Sequence, residues 1–284
     1  MFKKIFFVTA LLLASLLSAK PVVIASIAPV GYLAKAVGGD KIEVQSLAKG
    51  DVHSYEPKPN DMKAVAKASL FIAAGLEFEE AWIPRFKASA KNLVVVKSDA
   101  KIAKLKEERG EQAEHDEKHE AHADPHVWLN PMLAITMARN ISDALIAMDK
   151  ANKDFYLENF QKLMNDLLAF DESAKESLAG LKNRKFVVYH PAWGYFAAHY
   201  DLEQISIERS GKEPKIDEMA STLKMIKDEN IKVIFADPNR SQKSAQILAS
   251  QTGAKVELLD PLGYNLLENL KIAVGAIKDA NSPK

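Results

Sequence analysis

Apolar and polar positions in the first part of the chain alternate between short β-branched runs and longer amphipathic stretches. Short runs bounded by turn residues predict strands, and stretches with a helical repeat predict helices. This alternation is typical of βαβ units, which form parallel sheets covered by helices. We predict strands at 22–27, 41–47, 70–73 and 93–96, and helices at 29–37 and 60–68, the latter with Asn60 as its N-cap.

The pattern changes in the middle of the chain, where two long stretches are almost free of glycine and proline. Residues 132–148 and 153–181 are predicted to be helical, with a break at 150–152. Large apolar residues recur at helical spacing in the second stretch. After Asn183 the earlier alternation returns, with strands predicted at 185–189, 205–207, 233–236 and 256–259.

These patterns predict an α/β protein with two lobes. Each lobe has a mostly parallel β-sheet flanked by helices, and one long rigid helix joins the lobes. We place the N-terminal lobe at 20–149, the linker helix at 150–182 and the C-terminal lobe at 183–284. A single wound sheet interrupted by a helical insertion is the alternative.

The first 19 residues have the pattern of a secretory signal peptide. Lys3 and Lys4 give a positive start, an apolar run follows, and Ala19 ends a group of small residues suited to cleavage. We therefore expect an exported, soluble protein, cleaved after about Ala19. A retained N-terminal anchor is the alternative. The chain contains no cysteine, so any metal must be held by histidines and carboxylates.

Charge is balanced along the chain, with 38 basic and 38 acidic residues. A nucleic-acid-binding protein would need a basic face, so we expect no nucleic-acid partner. The segment 104–124 is highly charged, lacks apolar periodicity and is predicted to be a loop. Its histidines, His115, His119 and His122, belong either to a solvated charged loop or to a weak metal-gathering one.

Four candidate metal ligands lie at chain positions that a parallel sheet would bring together. His53, His190 and Asp260 each follow an apolar run, and His126 lies in a proline-flanked turn. The carboxyl ends of parallel strands face one crevice, where ligands bind. A single histidine beside a tryptophan is more often packed than ligating, so the set of four carries the prediction. Three imidazoles and a carboxylate would suit a borderline divalent metal.

We expect three neighbouring residues to support the candidate site. We expect Tyr55 and Glu56 to contact the ring of His53, since a ligating histidine usually donates its second N–H to such a group. Asp237 ends a predicted strand, and we expect it to support the site or cap the next helix, with direct coordination as the alternative. His199 is predicted to be a surface residue of a helix.

Five motifs give the chain a specific resemblance to a known family. It resembles the periplasmic zinc/manganese solute-binding proteins of metal ABC importers, the cluster A-I family, in its zinc-type form, over the whole mature chain. The resemblance implies that His53, His126, His190 and Asp260 bind the metal in the cleft between two lobes. The motifs are His53-Ser-Tyr-Glu-Pro-Lys-Pro, Asp124-Pro-His-Val-Trp-Leu-Asn-Pro, His190-Pro-Ala-Trp-Gly-Tyr-Phe, Phe235-Ala-Asp-Pro-Asn and Leu259-Asp-Pro-Leu-Gly.

The resemblance also implies a location, partners and a cargo. We expect a periplasmic monomer that captures a divalent metal and delivers it to an ABC permease with a cytoplasmic ATPase. Zinc-type relatives carry histidine where many manganese binders carry glutamate, and this chain has His190. Three imidazoles also favour Zn²⁺ chemically, with Mn²⁺ as the alternative cargo.

The sequence gives weaker support to other classes of function. We expect no catalytic residues and no enzyme, since a closed four-ligand site leaves no open position for a substrate. A zinc hydrolase with Asp260 or Glu56 as base is one rival, but the chain contains no His-Glu-x-x-His motif. An adhesin or structural surface protein that needs metal is the other rival.

Overall fold

The structure, a computed structural model, describes residues 20–106, 123–208 and 216–281. The predicted signal peptide at 1–19 and the histidines His115, His119 and His122 lie outside the described residues. Among the residues described, no helix has the length and apolar character needed to cross a membrane.

The first lobe contains a parallel sheet of four strands in the order β2-β1-β3-β4. The central strands β1 and β3 are almost fully buried, as expected for β-branched runs covered by helices on both faces. The strands are β1 (Val22–Ile27), β2 (Glu43–Ala48), β3 (Leu70–Ala73) and β4 (Val94–Lys97). The helices are α1 (Ala28–Gly38), α2 (Pro59–Val65) and α3 (Glu77–Ser89).

Two long helices follow the first sheet. They are α4 (Pro131–Met148) and α5 (Lys153–Ala179), separated by a short 3₁₀ turn at Lys150–Asn152. Asn130 caps α4 by accepting the N–H groups of Met132 and Leu133, and a proline at the first position needs no N–H partner. At 27 residues α5 is about 40 Å long and packs on α4 and α1.

The second lobe repeats the design of the first, with a parallel sheet in the order β6-β5-β7-β8. Its strands are β5 (Lys185–Val188), β6 (Glu203–Ser206), β7 (Val233–Ala236) and β8 (Lys255–Leu258). Its helices are α6 (Gly194–His199), α7 (Ile216–Asp228), α8 (Lys243–Thr252) and α9 (Leu266–Asn281). The strand order reverses beside the first strand of each sheet, which opens a crevice at the carboxyl ends of the strands.

The predicted architecture of two α/β lobes with a long helix between them is confirmed, and the single-sheet alternative is wrong because the two sheets are separate. The exact lobe boundaries stay predictions. The main apolar core runs continuously through both lobes: Val23 and Leu33 of the first lobe and Phe186 and Leu270 of the second belong to one cluster. A shared core resists independent motion of the lobes.

Two local predictions in the first lobe differ from the structure. Asn60 is not the N-cap of α2; the cap is Lys58, whose backbone N–H donates to Asp61 at 2.8 Å. Pro59 starts this helix because its fixed φ suits the first helical position. Helix α3 was not predicted, since its charged residues and Pro84 mask the helical repeat.

Candidate metal site

Three histidines from three separate loops converge in the cleft between the lobes. One possible ligand nitrogen from each of His53, His126 and His190 lies within 4.8 Å of the others. The ring centroids are 5.2 to 5.7 Å apart. His53 follows β2, His190 follows β5, and His126 precedes a 3₁₀ turn. The sheets thus bring together residues that are distant in sequence.

His126 is oriented by Asp124, two residues earlier. Its Nδ1 lies 2.8 Å from Oδ1 of Asp124, and its backbone N–H donates to the same oxygen at 2.9 Å. Because the carboxylate occupies Nδ1, the ring presents Nε2 as its ligand atom. The following turn is anchored by the buried indole of Trp128, whose Nε1 donates to the carbonyl of Pro261 at 2.7 Å.

His190 is oriented in the same way by a residue that we did not predict. Its Nδ1 lies 2.7 Å from Oε2 of Glu208, a side chain that is almost fully buried. The other oxygen of Glu208 accepts a hydrogen bond from Nη2 of Arg240 at 2.8 Å. The buried carboxylate is therefore neutralised by a guanidinium while it fixes the tautomer of the histidine.

Arg240 also approaches the opposite lobe. Within its own lobe, Nη1 of Arg240 lies 3.0 Å from Nδ1 of His190. Across the cleft, the same Nη1 lies 3.8 Å from Oδ1 of Asp51 in the first lobe. Asp51 accepts the backbone N–H of His53 at 3.1 Å and so holds the turn that carries this histidine. A continuous polar chain of Glu208, Arg240 and Asp51 therefore links the histidine loops of the two lobes.

The expected partners of His53 are wrong. The hydroxyl of Tyr55 donates to Asp61 at 2.9 Å, and within the described part of the chain Glu56 forms no hydrogen bond or ion pair with the ring of His53. Asp51 contacts this histidine through its backbone N–H and not through its ring, because the loop folds back on itself at a short sequence distance. His53 is also more exposed than the other two histidines.

The environment favours the neutral form of two histidines of the cluster, His53 and His190. Burial lowers the pKa of His53, and the neighbouring ring of His126 lowers it further. Burial likewise holds the pKa of His190 well below its usual value, with further contributions from His126 and Arg240. A neutral imidazole is the form that binds a metal, so a lowered pKa prepares the rings of His53 and His190 to act as ligands.

Asp260 is not one of the three groups that meet within 4.8 Å, although its neighbours Leu259 and Pro261 line a small cavity with His190. It follows β8, and its Oδ1 accepts hydrogen bonds from Asn239 and from the backbone N–H of Leu262. The carbonyl of Pro261, the next residue, accepts a hydrogen bond from the indole of Trp128, which lies close to His126 in the chain. The loop of Asp260 is thus attached to the walls of the histidine cluster.

The structure also shows the contacts of Asp237 and His199, the two other residues that the sequence analysis considered. Asp237 ends β7 and accepts the backbone N–H of Asn239 at 2.7 Å, which is a supporting contact, and it is outside the three-histidine group. Burial raises the pKa of Asp237; the hydrogen bonds from Asn239 oppose this effect, and the negative charge of Asp260 adds to it. His199 is also outside the group; it is partly buried and its Nε2 lies 2.6 Å from Oδ1 of Asp171.

Sequence reasoning missed Glu208, Arg240, Asp51 and Asn239. Glu208 and Arg240 follow the ends of β6 and β7, so the rule that identified His190 and Asp260 applies to them equally. The sequence offered no signal that paired them, because the two are far apart in sequence and meet only across neighbouring strands.

This fold and this cleft define the class of two-lobed solute-binding proteins. The chain belongs to the ZnuA family, zinc-uptake complex component A, periplasmic, whose family model matches residues 23–280. The predicted family and its zinc type are thereby confirmed.

Known proteins and structures agree with this assignment. The chain is 30% identical over 279 residues to the high-affinity zinc uptake system protein ZnuA of Bacillus subtilis (strain 168), covering 91% of this chain and 86% of that protein. A crystal structure of ZnuA superposes with a TM-score of 0.87 at 34% identity, covering 93% of this chain and 100% of the other. A zinc-bound ZnuA deletion mutant gives a TM-score of 0.86 at 34% identity, covering 94% and 100%.

Proposed function

We propose that this protein captures Zn²⁺ in the periplasm and delivers it to an ABC permease. His53, His126 and His190 supply neutral imidazole nitrogens, and Asp260 supplies a carboxylate oxygen. The single observation that carries the proposal is the convergence of three imidazoles, drawn from both lobes, within 4.8 Å. A nitrogen-rich set of this kind favours Zn²⁺ over Mn²⁺.

The protein acts by binding and release, without catalysing a reaction. Four protein ligands complete a tetrahedral zinc shell and leave no position for an activated water. The shared apolar core and the polar chain through Arg240 support a release step with small relative movement of the lobes. The partner supplied with zinc is a membrane permease driven by a cytoplasmic ATPase, and we propose that the binding protein works as a monomer with its signal peptide removed.

Zinc uptake in cells tests this proposal. A strain lacking the gene is complemented with the full chain, with His190→Ala or with His199→Ala, and uptake of radioactive zinc is measured under zinc limitation. The full chain and His199→Ala, which alters a histidine outside the cluster, should restore uptake, whereas His190→Ala should not. Restored zinc uptake with His190→Ala would contradict the proposed site. Loss of manganese uptake in the deletion strain, with zinc uptake intact, would contradict zinc as the cargo.

A further inference from the structure

The two carboxylate oxygens of Asp260 are in different environments. Oδ1 accepts one hydrogen bond from Nδ2 of Asn239 at 2.8 Å and a second from the backbone N–H of Leu262 at 2.9 Å. A carboxylate oxygen has two lone pairs, so these donors fill the accepting capacity of Oδ1. Within residues 20–106, 123–208 and 216–281, no hydrogen bond reaches Oδ2. Asp260 therefore has one oxygen free to bind a cation.

Asn239 is held firmly enough to fix this asymmetry. Its backbone N–H donates to Oδ1 of Asp237 at 2.7 Å, and its Nδ2 lies 3.1 Å from the same oxygen. The side-chain amide therefore bridges two carboxylates, Asp237 at the end of β7 and Asp260 at the end of β8. Asp237 is buried, which gives this bridge a fixed anchor on the sheet.

The backbone of the Asp260 loop is fixed as well. The carbonyl of Asp260 accepts a hydrogen bond from the side-chain amide of Asn269, at the start of α9. On the other side, the carbonyl of Pro261 accepts a hydrogen bond from the indole N–H of Trp128. Rotation of the carboxylate about its own bonds is then the main remaining freedom, and Asn239 opposes it.

We infer that Asn239 is a specificity-determining positioning residue that keeps Oδ1 of Asp260 away from the metal, so that Asp260 binds zinc through Oδ2 alone. The inference rests on the proposed function. Three imidazole nitrogens and one oxygen make the four-coordinate shell that Zn²⁺ favours. Mn²⁺ favours more oxygen ligands, and withholding Oδ1 denies it a bidentate carboxylate. Asn239 thus acts on metal choice without touching the metal.

Metal selectivity and coordination number test the role of Asn239. Dissociation constants for Zn²⁺ and Mn²⁺ are measured by chelator competition on the chain from residue 20, as wild type, Asn239→Ala and Asn165→Ala. Asn165 is a matched control, because it is an exposed asparagine on α5 whose side-chain amide makes one hydrogen bond, accepted from Gln161. In Asn239→Ala the ratio of the Mn²⁺ to the Zn²⁺ dissociation constant should fall about 10-fold, the lower range for loss of an outer-shell partner. Asn165→Ala should keep the wild-type ratio.

X-ray absorption spectroscopy of the zinc-loaded proteins provides a readout that a purely structural role would not change. The wild type should show three nitrogen ligands and one oxygen, and Asn239→Ala should gain a second carboxylate oxygen. Asn239→Ser, which also lacks an amide, should give the same gain and serves if the alanine variant folds poorly.

A bidentate carboxylate in the wild type, or an unchanged ratio and coordination number in both variants, would overturn the inference. In either case, tight zinc binding by the wild type would leave the proposed function intact. Absence of a tight site in the wild type would overturn both together.

Discussion

Nδ1 of His190 lies 2.7 Å from Oε2 of Glu208, and both side chains are almost fully buried. This contact joins the end of β5 to the end of the neighbouring strand β6. It fixes which nitrogen of the imidazole faces the cleft, and it places a carboxylate behind the ligand. The same arrangement occurs at His126 with Asp124. Two of the three histidines are therefore oriented by acidic partners.

Replacing the acidic partner should weaken zinc binding without removing a ligand. Glu208→Gln keeps the shape and an accepting oxygen but loses the charge that pairs with Arg240. We expect the zinc dissociation constant to rise about 10-fold. Glu203→Gln, an exposed change on the same strand, is the control in the same chelator titration. Equal dissociation constants for the two variants would show that Glu208 does not tune the ligand.

The indole of Trp128 should be needed both for stability and for the site. Trp128→Phe removes the donor to the carbonyl of Pro261, which is bonded at 2.7 Å in a buried position. Unfolding in urea should show a loss of about 1–3 kcal/mol, and zinc affinity should fall because the Asp260 loop loosens.

Trp82→Phe is the control for this substitution. Trp82 is only partly buried, and its indole N–H makes no hydrogen bond to any residue that the structure describes. Its loss should cost less than that of Trp128 and leave zinc affinity unchanged. Equal losses of stability in the two variants would mean that the Trp128 hydrogen bond contributes nothing beyond packing.

Glu79 should be a major determinant of first-lobe stability. Its carboxylate accepts the backbone N–H groups of Ala74, Gly75 and Leu76 at 2.7 to 3.0 Å. Glu79→Ala leaves these donors without a partner, and we expect a loss of about 2–3 kcal/mol in the free energy of unfolding. Glu80→Ala changes an exposed residue in the same turn and should have little effect. Similar urea midpoints for both variants would contradict this role.

The contact between Asp171 of α5 and His199 of α6 predicts that the stability of the protein depends on pH. Burial alone would raise the pKa of Asp171, but hydrogen bonds from Lys175 and His199 outweigh it and lower the pKa on balance. A carboxyl whose pKa is lower in the folded state stabilises the fold above its unfolded pKa of about 3.9. This stabilisation is lost as pH falls through the folded value.

Asp171→Asn therefore should destabilise the protein by about 1.5 kcal/mol at pH 7 and by much less near pH 3. Urea unfolding at the two pH values measures this difference. Glu172→Gln, its exposed neighbour on the same helix, should show no such dependence. A penalty for Asp171→Asn that is the same at both pH values would contradict the lowered pKa.

The sequence was sufficient for features that depend on local pattern. Apolar runs predicted the strands to within about two residues, and β1, β3 and β7 matched completely. The helix predicted at 132–148 is present in the structure and begins one residue earlier, at Pro131. The placement of His53 and His190 in one cleft followed from one rule, that the carboxyl ends of parallel strands share a crevice. His126, in a proline-flanked turn, was added through its motif and the family resemblance.

Two of the residues that sequence reasoning missed, Glu208 and Arg240, depend on contacts across long chain distances. Glu208 meets His190 because β5 and β6 are neighbours, and Arg240 meets both from the end of β7. No local pattern encodes such pairings. The cap of α2 was misplaced for another reason, because Pro59 started the helix one residue before the expected Asn60.

The central claim is a zinc site built on the three histidines, and its most direct test is a pair of dissociation constants. Zn²⁺ and Mn²⁺ binding are measured by chelator competition at pH 7 on the chain from residue 20, as wild type, His126→Ala and His199→Ala. The wild type and His199→Ala should bind Zn²⁺ tightly and Mn²⁺ far more weakly. His126→Ala should weaken zinc binding by more than about 100-fold, since it removes a ligand and not only an outer partner. Tight zinc binding that survives in His126→Ala, or manganese bound as tightly as zinc by the wild type, would contradict the claim.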